Sequence, residues 1–213
     1  LGSLGIPGDR ELVVTDADGR ILDARTRPSL LRHRAALDDE GVLRIDGRHW
    51  DDPVVAEELR LAAGRGARLT PTTDPRRFDI LPLLVTSDGA LGALGVDLRR
   101  LRPNLVIGGV DGLAERRWPG RHLAIGDAVL AFEGLRGRCI VTTWDPDTGR
   151  QDVDVLRRIH REFGGTFGLN AWAARPGRIR VGDPVTLLET LDGGAAPRFG
   201  RYASAPADAG GEV

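Results

Sequence analysis

Short apolar runs that alternate with tight turns are the feature that most constrains how this chain can fold. Each run suits a strand, and Gly-Asp pairs such as Gly126-Asp127 and Gly182-Asp183 mark turns between neighbouring runs. The runs predict strands at residues 11–15, 20–25, 42–45, 80–85, 105–107, 123–125, 128–132, 140–143, 178–181 and 184–188. Many short strands with few helices predict an α+β fold built around a β-barrel-like sheet.

Three segments carry helix signals instead, at residues 53–63, 87–94 and 153–163. Pro53 suits the first position of a helix, and Ser87 is a residue type that caps helix N-termini. In the third segment apolar residues recur at helical spacing, which makes it the clearest helix of the chain.

Composition divides the chain into three regions. Residues 70–77 are polar and rich in proline, so we interpret them as the joint between two parts. The expected division is a small β-rich part over residues 1–70 and a larger domain over residues 71–191. Residues 192–213 are rich in Gly, Ala, Pro and Asp, and we expect this tail to be disordered.

Charge and hydropathy exclude several classes of protein. The formal net charge is -1, whereas a dedicated nucleic-acid binder is usually basic overall. No apolar run approaches the ~20 residues that a membrane-spanning helix needs. No secretion signal is recognisable, and a single cysteine cannot form an intrachain disulfide. These features together predict a cytoplasmic protein that binds neither nucleic acid nor membrane.

Cys139 is the only cysteine of the chain and its most distinctive chemical group. Arg136 and Arg138 precede it, and neighbouring positive charge favours the thiolate form that binds metal. Soft sulfur suits a polarizable transition metal, and Gly137 would let a ligand approach the backbone. The alternative is a buried, unreactive cysteine on a strand, which is the commoner role of a single cysteine.

Four other residues carry groups that suit an anionic or heterocyclic ligand. Arg25, Arg102 and Asn104 offer hydrogen-bond donors, and arginine matches phosphate oxygens in a bidentate manner. Asp79 precedes an apolar run, where its carboxylate could accept hydrogen bonds from ring N–H groups. A solvated turn explains the arginines equally well, and a cap at the end of a strand explains Asp79.

Other kinds of site find little support in the sequence. The four histidines are scattered, without the spacing of a zinc site. Gly64-Arg65-Gly66 and Gly108-Gly109 lack the strand–turn–helix context of a nucleotide-binding loop. Ser87 lies in no nucleophile-elbow pattern. The residues alone therefore lead to an α+β domain with one distinctive cysteine.

Several longer blocks resemble the MOSC superfamily, named after the C-terminal domain of molybdenum cofactor sulfurase. The resemblance is closest to its two-part members, the amidoxime-reducing components and their bacterial relatives, and runs in order from about Gly5 to Leu188. The blocks that carry it lie at residues 5–10, 25–28, 101–106, 138–149 and 176–185. The most specific is the block at 138–149, in which Cys139 is followed by Thr-Thr and by Asp-Pro-Asp-Thr-Gly. The resemblance implies a MOSC fold with a small N-terminal β-rich part.

The same resemblance implies a molybdenum–molybdopterin cofactor. Cys139 matches the cysteine that ligates molybdenum, beside Gly137 and Arg138. The residues that match positions holding the pterin and its phosphate are Arg25, Asp79, Arg102 and Asn104. The protein would position and tune the metal, while the cofactor does the two-electron work.

The activity implied is an oxidoreductase that reduces N-hydroxylated or similar small substrates. Its electrons would come from a separate ferredoxin- or flavin-type protein, because no cysteine-rich module follows Leu191. A carrier or sulfur-transfer protein that binds the cofactor without its own turnover stays open as the alternative, and a barrel without cofactor is a third. The superfamily also carries a weak association with pyridoxal phosphate binding.

The sequence departs from the superfamily pattern at three places, one of which is Gly137, where relatives commonly have a polar residue. A Tyr-Pro-Val-Lys-Ser-like first strand is absent, and the chain contains neither Lys nor Met. We therefore expect that its natural start is missing and that the hairpin at residues 11–25 presents an unpaired edge. In the segment 114–118, Arg116 stands where relatives often have Asp, which reverses one charge.

Overall fold

The computed structural model describes residues 1–189, 197, 199 and 200. Its α-helices are α1 (Pro53–Ala63), α2 (Asp88–Leu94) and α3 (Val153–Phe163). Its strands are β1 (Leu12–Thr15), β2 (Ile21–Leu22), β3 (Ala35–Leu37), β4 (Leu43–Ile45), β5 (Arg48–His49), β6 (Arg68–Pro71), β7 (Leu83–Ser87), β8 (Leu105–Ile107), β9 (His122–Ile125), β10 (Ala128–Gly137), β11 (Thr166–Arg175) and β12 (Val185–Leu188). Short 3₁₀ helices lie at Pro28–Arg32, Pro75–Arg77, Leu98–Arg100, Ala114–Arg117 and Ile140–Thr143.

A six-stranded sheet dominates the structure, with strand order β12-β9-β10-β11-β7-β8. All neighbours are antiparallel except β7 and β8, which run parallel. The sheet curls into a half-barrel, and its inner face carries the largest cluster of buried apolar side chains, including Leu130, Phe132 and Leu169. The predicted barrel-like α+β fold is confirmed.

Two three-stranded sheets form in the first third of the chain, ordered β2-β1-β6 and β3-β4-β5. In the first of these sheets, β1 pairs with β2 on one side and with β6 on the other. Strand β1 of the hairpin at residues 11–25 is thus paired on both sides, whereas β2 of the same hairpin lies at the edge of this sheet in the described residues, so the hairpin keeps one unpaired edge. Strand β6, which the sequence analysis did not identify, supplies the hydrogen bonds on the second side of β1.

The helices form where their sequence signals lie. Asp52 caps α1 by accepting a hydrogen bond from the N–H of Val54, and Asp152 caps α3 through the N–H of Asp154. Ser87 caps α2 through Ala90, as predicted. The buried side chains of α3 face those of α2 and form a second apolar cluster beside the sheet.

Three strand predictions need correction. Residues 140–143 form a 3₁₀ helix, because hydroxyl groups of this Thr-Thr segment bond back to carbonyls within the turn. Residues 178–181 form no strand, and the apolar run predicted at 80–85 begins pairing only at Leu83.

Strand β11 was not predicted from the sequence, because its residues are buried along most of the strand and show no alternation of polar and apolar types.

The ends of the predicted divisions fall partly outside the described residues. Most of the tail predicted as disordered, residues 192–213, lies outside them. Phe199 is described, is buried and packs against Phe78. The division at residues 70–71 stays a prediction. No helix in the described part of the chain is long and apolar enough to cross a membrane.

Candidate functional site

Cys139 lies just beyond the end of β10, where the chain leaves the sheet. The carbonyl of Cys139 accepts hydrogen bonds from the backbone N–H and the hydroxyl of Thr142, at 3.1 and 2.9 Å. On the other side, the N–H of Arg138 donates to the carbonyl of Gly165 at 3.0 Å. The half-buried thiol is therefore carried on a fixed backbone at the rim of the sheet, not within a strand.

An ion-pair cluster surrounds the thiol. Asp79 pairs with Arg25 through Oδ1, at 2.6 Å from Nη2, and with Arg136 through Oδ2. The side chain of Cys139 also lies near the Arg25 guanidinium and contributes to raising its pKa. Arg136 donates in turn to the amide oxygen of Asn170 on β11, at 3.0 Å. Arg25 comes from the first part of the chain, so the cluster joins both parts at the cysteine.

Positive charge prevails around the thiol. Hydrogen bonding to Asp79 raises the pKa of Arg25 above its already high value. Burial lowers the pKa of Arg138 to about 10, and repulsion from Arg136 contributes to this shift. Among the described residues, these three guanidinium groups lie beside two carboxylates, Asp79 and Asp23. Such an arrangement favours an anion in the neighbourhood.

Arg102 and Arg10 form a second group of arginines. The side chain of Arg102 is exposed to solvent, yet loss of surrounding water lowers its pKa, and repulsion from Arg10 adds to this effect. The guanidinium of Arg102 is thus reached by water although protein groups lie around it. The guanidinium forms no hydrogen bond with any other described residue, although Asp9 lies close enough to attract it.

The backbone is strained at Arg10 and Arg102. Arg10 and Arg102 both have φ of +57°, a region that side-chain-bearing residues rarely adopt. Such conformations cost on the order of 1 kcal/mol or more and cluster at functional sites. Packing holds Arg10 in this conformation, since its guanidinium donates to the carbonyl of Pro82 at 2.6 Å and lies 4.7 Å from the centre of the Phe78 ring.

Asn104 occupies a different role within the described residues. Its side-chain oxygen accepts from the N–H of Leu84 at 2.9 Å, while its backbone N–H donates to the carbonyl of Leu84 at 2.8 Å. Its amide nitrogen donates to Asp9 at 3.2 Å. The residue thus continues the pairing of β7 with β8 and orients Asp9 beside Arg10, and one amide hydrogen stays available for a ligand.

The two groups of predicted residues are connected through the backbone. Arg138 donates from Nη2 to the carbonyl of Leu101, at 2.6 Å, and Leu101 directly precedes Arg102. Likewise Phe78, which contacts Arg10, directly precedes Asp79. The structure therefore brings Arg25, Asp79 and Arg138 to Cys139, and places Arg102 and Asn104 in an adjoining group.

Gly137 leaves space beside the cysteine. A Cβ atom built at this position would meet nothing within 4 Å among the described residues, and the φ angle of Gly137 is not positive. The backbone conformation therefore does not demand glycine. The open space is what the sequence analysis expected of a residue that lets a ligand approach.

Sequence reasoning did not assign three residues that the structure places in the site. The sequence singled out Arg136 for its charge only. Its contact with Asp79 arises because the fold brings strand β10 next to the bend that contains Asp79. Asp9 and Arg10 lie in the block at residues 5–10, which supported the family resemblance without a role for either. Their strained or paired geometry is visible only in three dimensions.

A molybdenum–molybdopterin cofactor fits the residues present. The Nε of Arg138 is buried and has no hydrogen-bond partner in the described part of the chain, so a donor is available beside the cysteine. Thiolate sulfur suits a soft metal, and unpaired guanidinium groups suit phosphate oxygens. The carboxylate of Asp79 is an acceptor-only group, the type that suits the N–H groups of a pterin ring.

A recess of about 610 Å³ borders the 3₁₀ helix that follows the cysteine. Ile140 and Thr143 form one wall, and Val153, Leu156 and His160 of α3 contribute the other. Its volume lies within the range of small-molecule sites, about 300–1,000 Å³. Ile140 directly follows Cys139 in the sequence, so the recess adjoins the cysteine along the chain.

One further group of side chains has the composition of a metal site. Ligand atoms of His33, Asp46 and Glu58 lie within 4.8 Å of one another. Asp46 already accepts hydrogen bonds from His33, at 2.7 Å, and from the N–H of Arg34, at 2.8 Å. These bonds account for the position of Asp46 at its tight turn without an ion.

Comparisons with known proteins match this chain to one protein family. The family model of the MOSC domain matches residues 86–186. Human mitochondrial amidoxime-reducing component 1 is 36% identical over 129 residues, which cover 52% of this chain and 38% of that protein. Human mitochondrial amidoxime reducing component 2 is 31% identical over 156 residues, covering 62% and 46% of the two chains.

A second kind of relative also matches. The molybdenum cofactor sulfurase of Bombyx mori is 33% identical over 88 residues, covering 41% of this chain and 10% of that protein. The chain spans less than half the length of each of these curated relatives.

Proposed function

This chain carries a MOSC domain over residues 86–186, and we propose that it binds a molybdenum–molybdopterin cofactor through Cys139 and reduces N-hydroxylated small molecules. The MOSC domain and the named relatives confirm the resemblance that the sequence blocks predicted. The observation that carries the proposal is the Arg25–Asp79–Arg136 ion-pair cluster, with the Cys139 side chain close to Arg25.

Each residue of the site has a stated part in this proposal. Cys139 would ligate the metal, and Asp79, held by its arginine partners, would accept hydrogen bonds from the pterin. Arg102 and Arg138 would hold the phosphate and neighbouring oxygens, with Asp9 and Asn104 fixing the surroundings of Arg102. Arg25 would fix the Cys139 thiol and the Asp79 carboxylate in position relative to each other.

When bound, the cofactor supplies two-electron chemistry. Reduction of an N–OH group breaks the N–O bond and consumes two electrons and two protons, giving an N–H group and water. The protein supplies orientation, charge and exclusion of water. We propose that the electrons come from a separate ferredoxin- or flavin-type protein, and that the recess beside Ile140 receives the substrate.

A carrier or sulfur-transfer protein is the second candidate. The similarity to molybdenum cofactor sulfurase favours it, because that relative is named for handling the sulfur of the cofactor. A carrier needs the cysteine and the arginines but neither a substrate recess nor a reductant. Turnover of a substrate therefore separates the two candidates.

Two weaker expectations stay predictions. Pyridoxal phosphate usually attaches to a lysine, and these 213 residues contain none, so this association finds no support in them. A cytoplasmic location is equally untested, since the amidoxime-reducing relatives are named mitochondrial.

Reduction of an amidoxime by the purified protein tests the proposal. The protein is isolated from a molybdenum-replete host and supplied anaerobically with reduced methyl viologen and benzamidoxime. We expect stoichiometric formation of benzamidine, and none with Cys139→Ser. Cofactor-loaded protein that forms no product from amidoximes, hydroxylamines or N-hydroxypurines would contradict the reductase and leave the carrier.

A further inference from the structure

Asp79 lies in a segment that has no regular secondary structure. Residues 78–82 form successive bends between the 3₁₀ helix Pro75–Arg77 and β7. Among the residues that the structure describes, no strand pairs with this segment. The position of the Asp79 carboxylate therefore depends on what packs against this segment.

The first contact on this segment comes from Phe199, near the end of the described residues. Its ring meets the ring of Phe78 edge to face, with centroids 5.6 Å apart and planes at 88°. Both rings are buried, together with Leu81, in a cluster of their own. Edge-to-face aromatic pairs contribute about 0.5–1.5 kcal/mol beyond the burial of their area. Phe199 thus anchors the residue immediately before Asp79.

The second contact is made by the backbone of Gly200. A Cβ atom at this position would lie 2.4 Å from the carbonyl oxygen of Asp79 and 2.5 Å from that of Phe78. Its φ of +55° is also one that glycine adopts readily. The two backbones are therefore in direct contact, with no room for a side chain between them.

We propose that Phe199 and Gly200 are positioning residues for Asp79, and that they set how firmly the cofactor site holds its pterin. Both lie beyond residues 86–186, the part that the MOSC family model matches. They touch neither the thiol nor the arginines in the described contacts, and act through the backbone of Phe78 and Asp79. The inference rests on the proposed function, because it assigns the pterin to Asp79.

The physical consequence follows from the geometry of the cluster. Arg25 and Arg136 bind opposite oxygens of Asp79, so a shift of its backbone misplaces the carboxylate relative to both. Displacements of about 1 Å in positioning residues can lower function on the order of a hundredfold. A change at Gly200 should therefore accelerate the release of pterin, with a smaller effect on the stability of the fold.

Gly200→Ala tests the inference against a matched glycine. Gly112 has a similar φ, +50°, but a Cβ there would meet nothing within 4 Å. Alanine introduces the same backbone strain at both positions and a collision only at position 200. We expect the release of pterin from the holoprotein to accelerate at least about tenfold in Gly200→Ala and to stay unchanged in Gly112→Ala.

Phe199→Leu gives a second variant in case Gly200→Ala does not fold. Its control is Phe167→Leu, since Phe167 forms a comparable edge-to-face pair with Phe163, with centroids 5.4 Å apart, in the separate cluster between α2 and α3. Both changes remove one ring from a buried aromatic pair. Only Phe199→Leu should accelerate pterin release, whereas both should lower the melting temperature.

Pterin release is followed by fluorescence of the oxidised pterin, and the melting temperature is recorded beside it. Equal release rates in the position-200 or position-199 variant and its control would overturn the inference. A parent protein that retains no pterin would instead refute the proposed function itself. The same measurement therefore distinguishes failure of this inference from failure of the proposed function.

Discussion

The side chains around Cys139 show how far single residues can be assigned from sequence. Arg25 and Asp79 were matched to the site by family resemblance, and the structure places them in contact with each other at 2.6 Å. Arg136 escaped assignment, because its role depends on a partner 57 positions away along the chain. Residue types and blocks identify candidate groups, whereas their pairing requires the fold.

Arg102 provides the first prediction at this scale. Its guanidinium forms no hydrogen bond within the described residues, so a phosphate would give it its first direct partner. A charge-assisted hydrogen bond contributes roughly 1.5–3 kcal/mol, so Arg102→Ala should weaken cofactor binding about tenfold to a hundredfold. Retained pterin after dialysis measures the effect.

The control for that variant is Arg99→Ala. Arg99 belongs to the preceding 3₁₀ helix and binds Asp97 and Asp147. Its loss should leave pterin retention unchanged. Equal retention in both variants would remove Arg102 from the site.

Secondary-structure elements were predictable where local signals and tertiary packing agree. Both α1 and α3 begin and end at the residues predicted, because capping residues and glycines frame them. The segment at 140–143 has the composition of a strand, but hydrogen bonds of its threonines close a turn instead. Strand β11 carries no local signal, since its residues are buried along most of its length and do not alternate between polar and apolar types.

The cap of α3 gives a prediction for this scale. Asp152 accepts a hydrogen bond from the N–H of Asp154, and loss of such a cap costs about 1 kcal/mol. We expect Asp152→Ala to lower the free energy of unfolding by about that amount, as measured by urea denaturation. Asp152→Asn keeps an acceptor and should cost less. Identical losses in both variants would show that the side chain does not act as a cap.

At the scale of the whole molecule, the site depends on a contact between distant parts of the chain. Arg25 follows the β1–β2 hairpin, whereas Asp79 and Cys139 lie in the segments around the six-stranded sheet. Neither region alone contains the cluster. The sequence predicted the curled sheet from its many short strands, but this joining of parts follows from tertiary packing that no local pattern encodes.

The contact that Arg25 makes between the two parts of the chain can be tested, with Arg20 of the β1–β2 hairpin as the control. Arg25→Ala removes a partner of Asp79 that also lies near the thiol, and should lower retained pterin at least about tenfold. Arg20→Ala removes an exposed arginine that pairs only with Asp18 in the described residues, and should retain the parent value. If Arg25→Ala retains as much pterin as Arg20→Ala, the two parts do not meet at the cofactor.

The central claim is that Cys139 holds molybdenum, and metal analysis tests it most directly. Molybdenum and pterin are quantified in the parent protein and in Cys139→Ser, both purified from a molybdenum-replete host. Serine is nearly the same size but a far poorer ligand for a soft metal. We predict about one molybdenum and one pterin per parent chain, and loss of molybdenum from Cys139→Ser at an unchanged melting temperature of the cofactor-free proteins. Equal molybdenum in the two proteins, or none in the parent, would contradict the account.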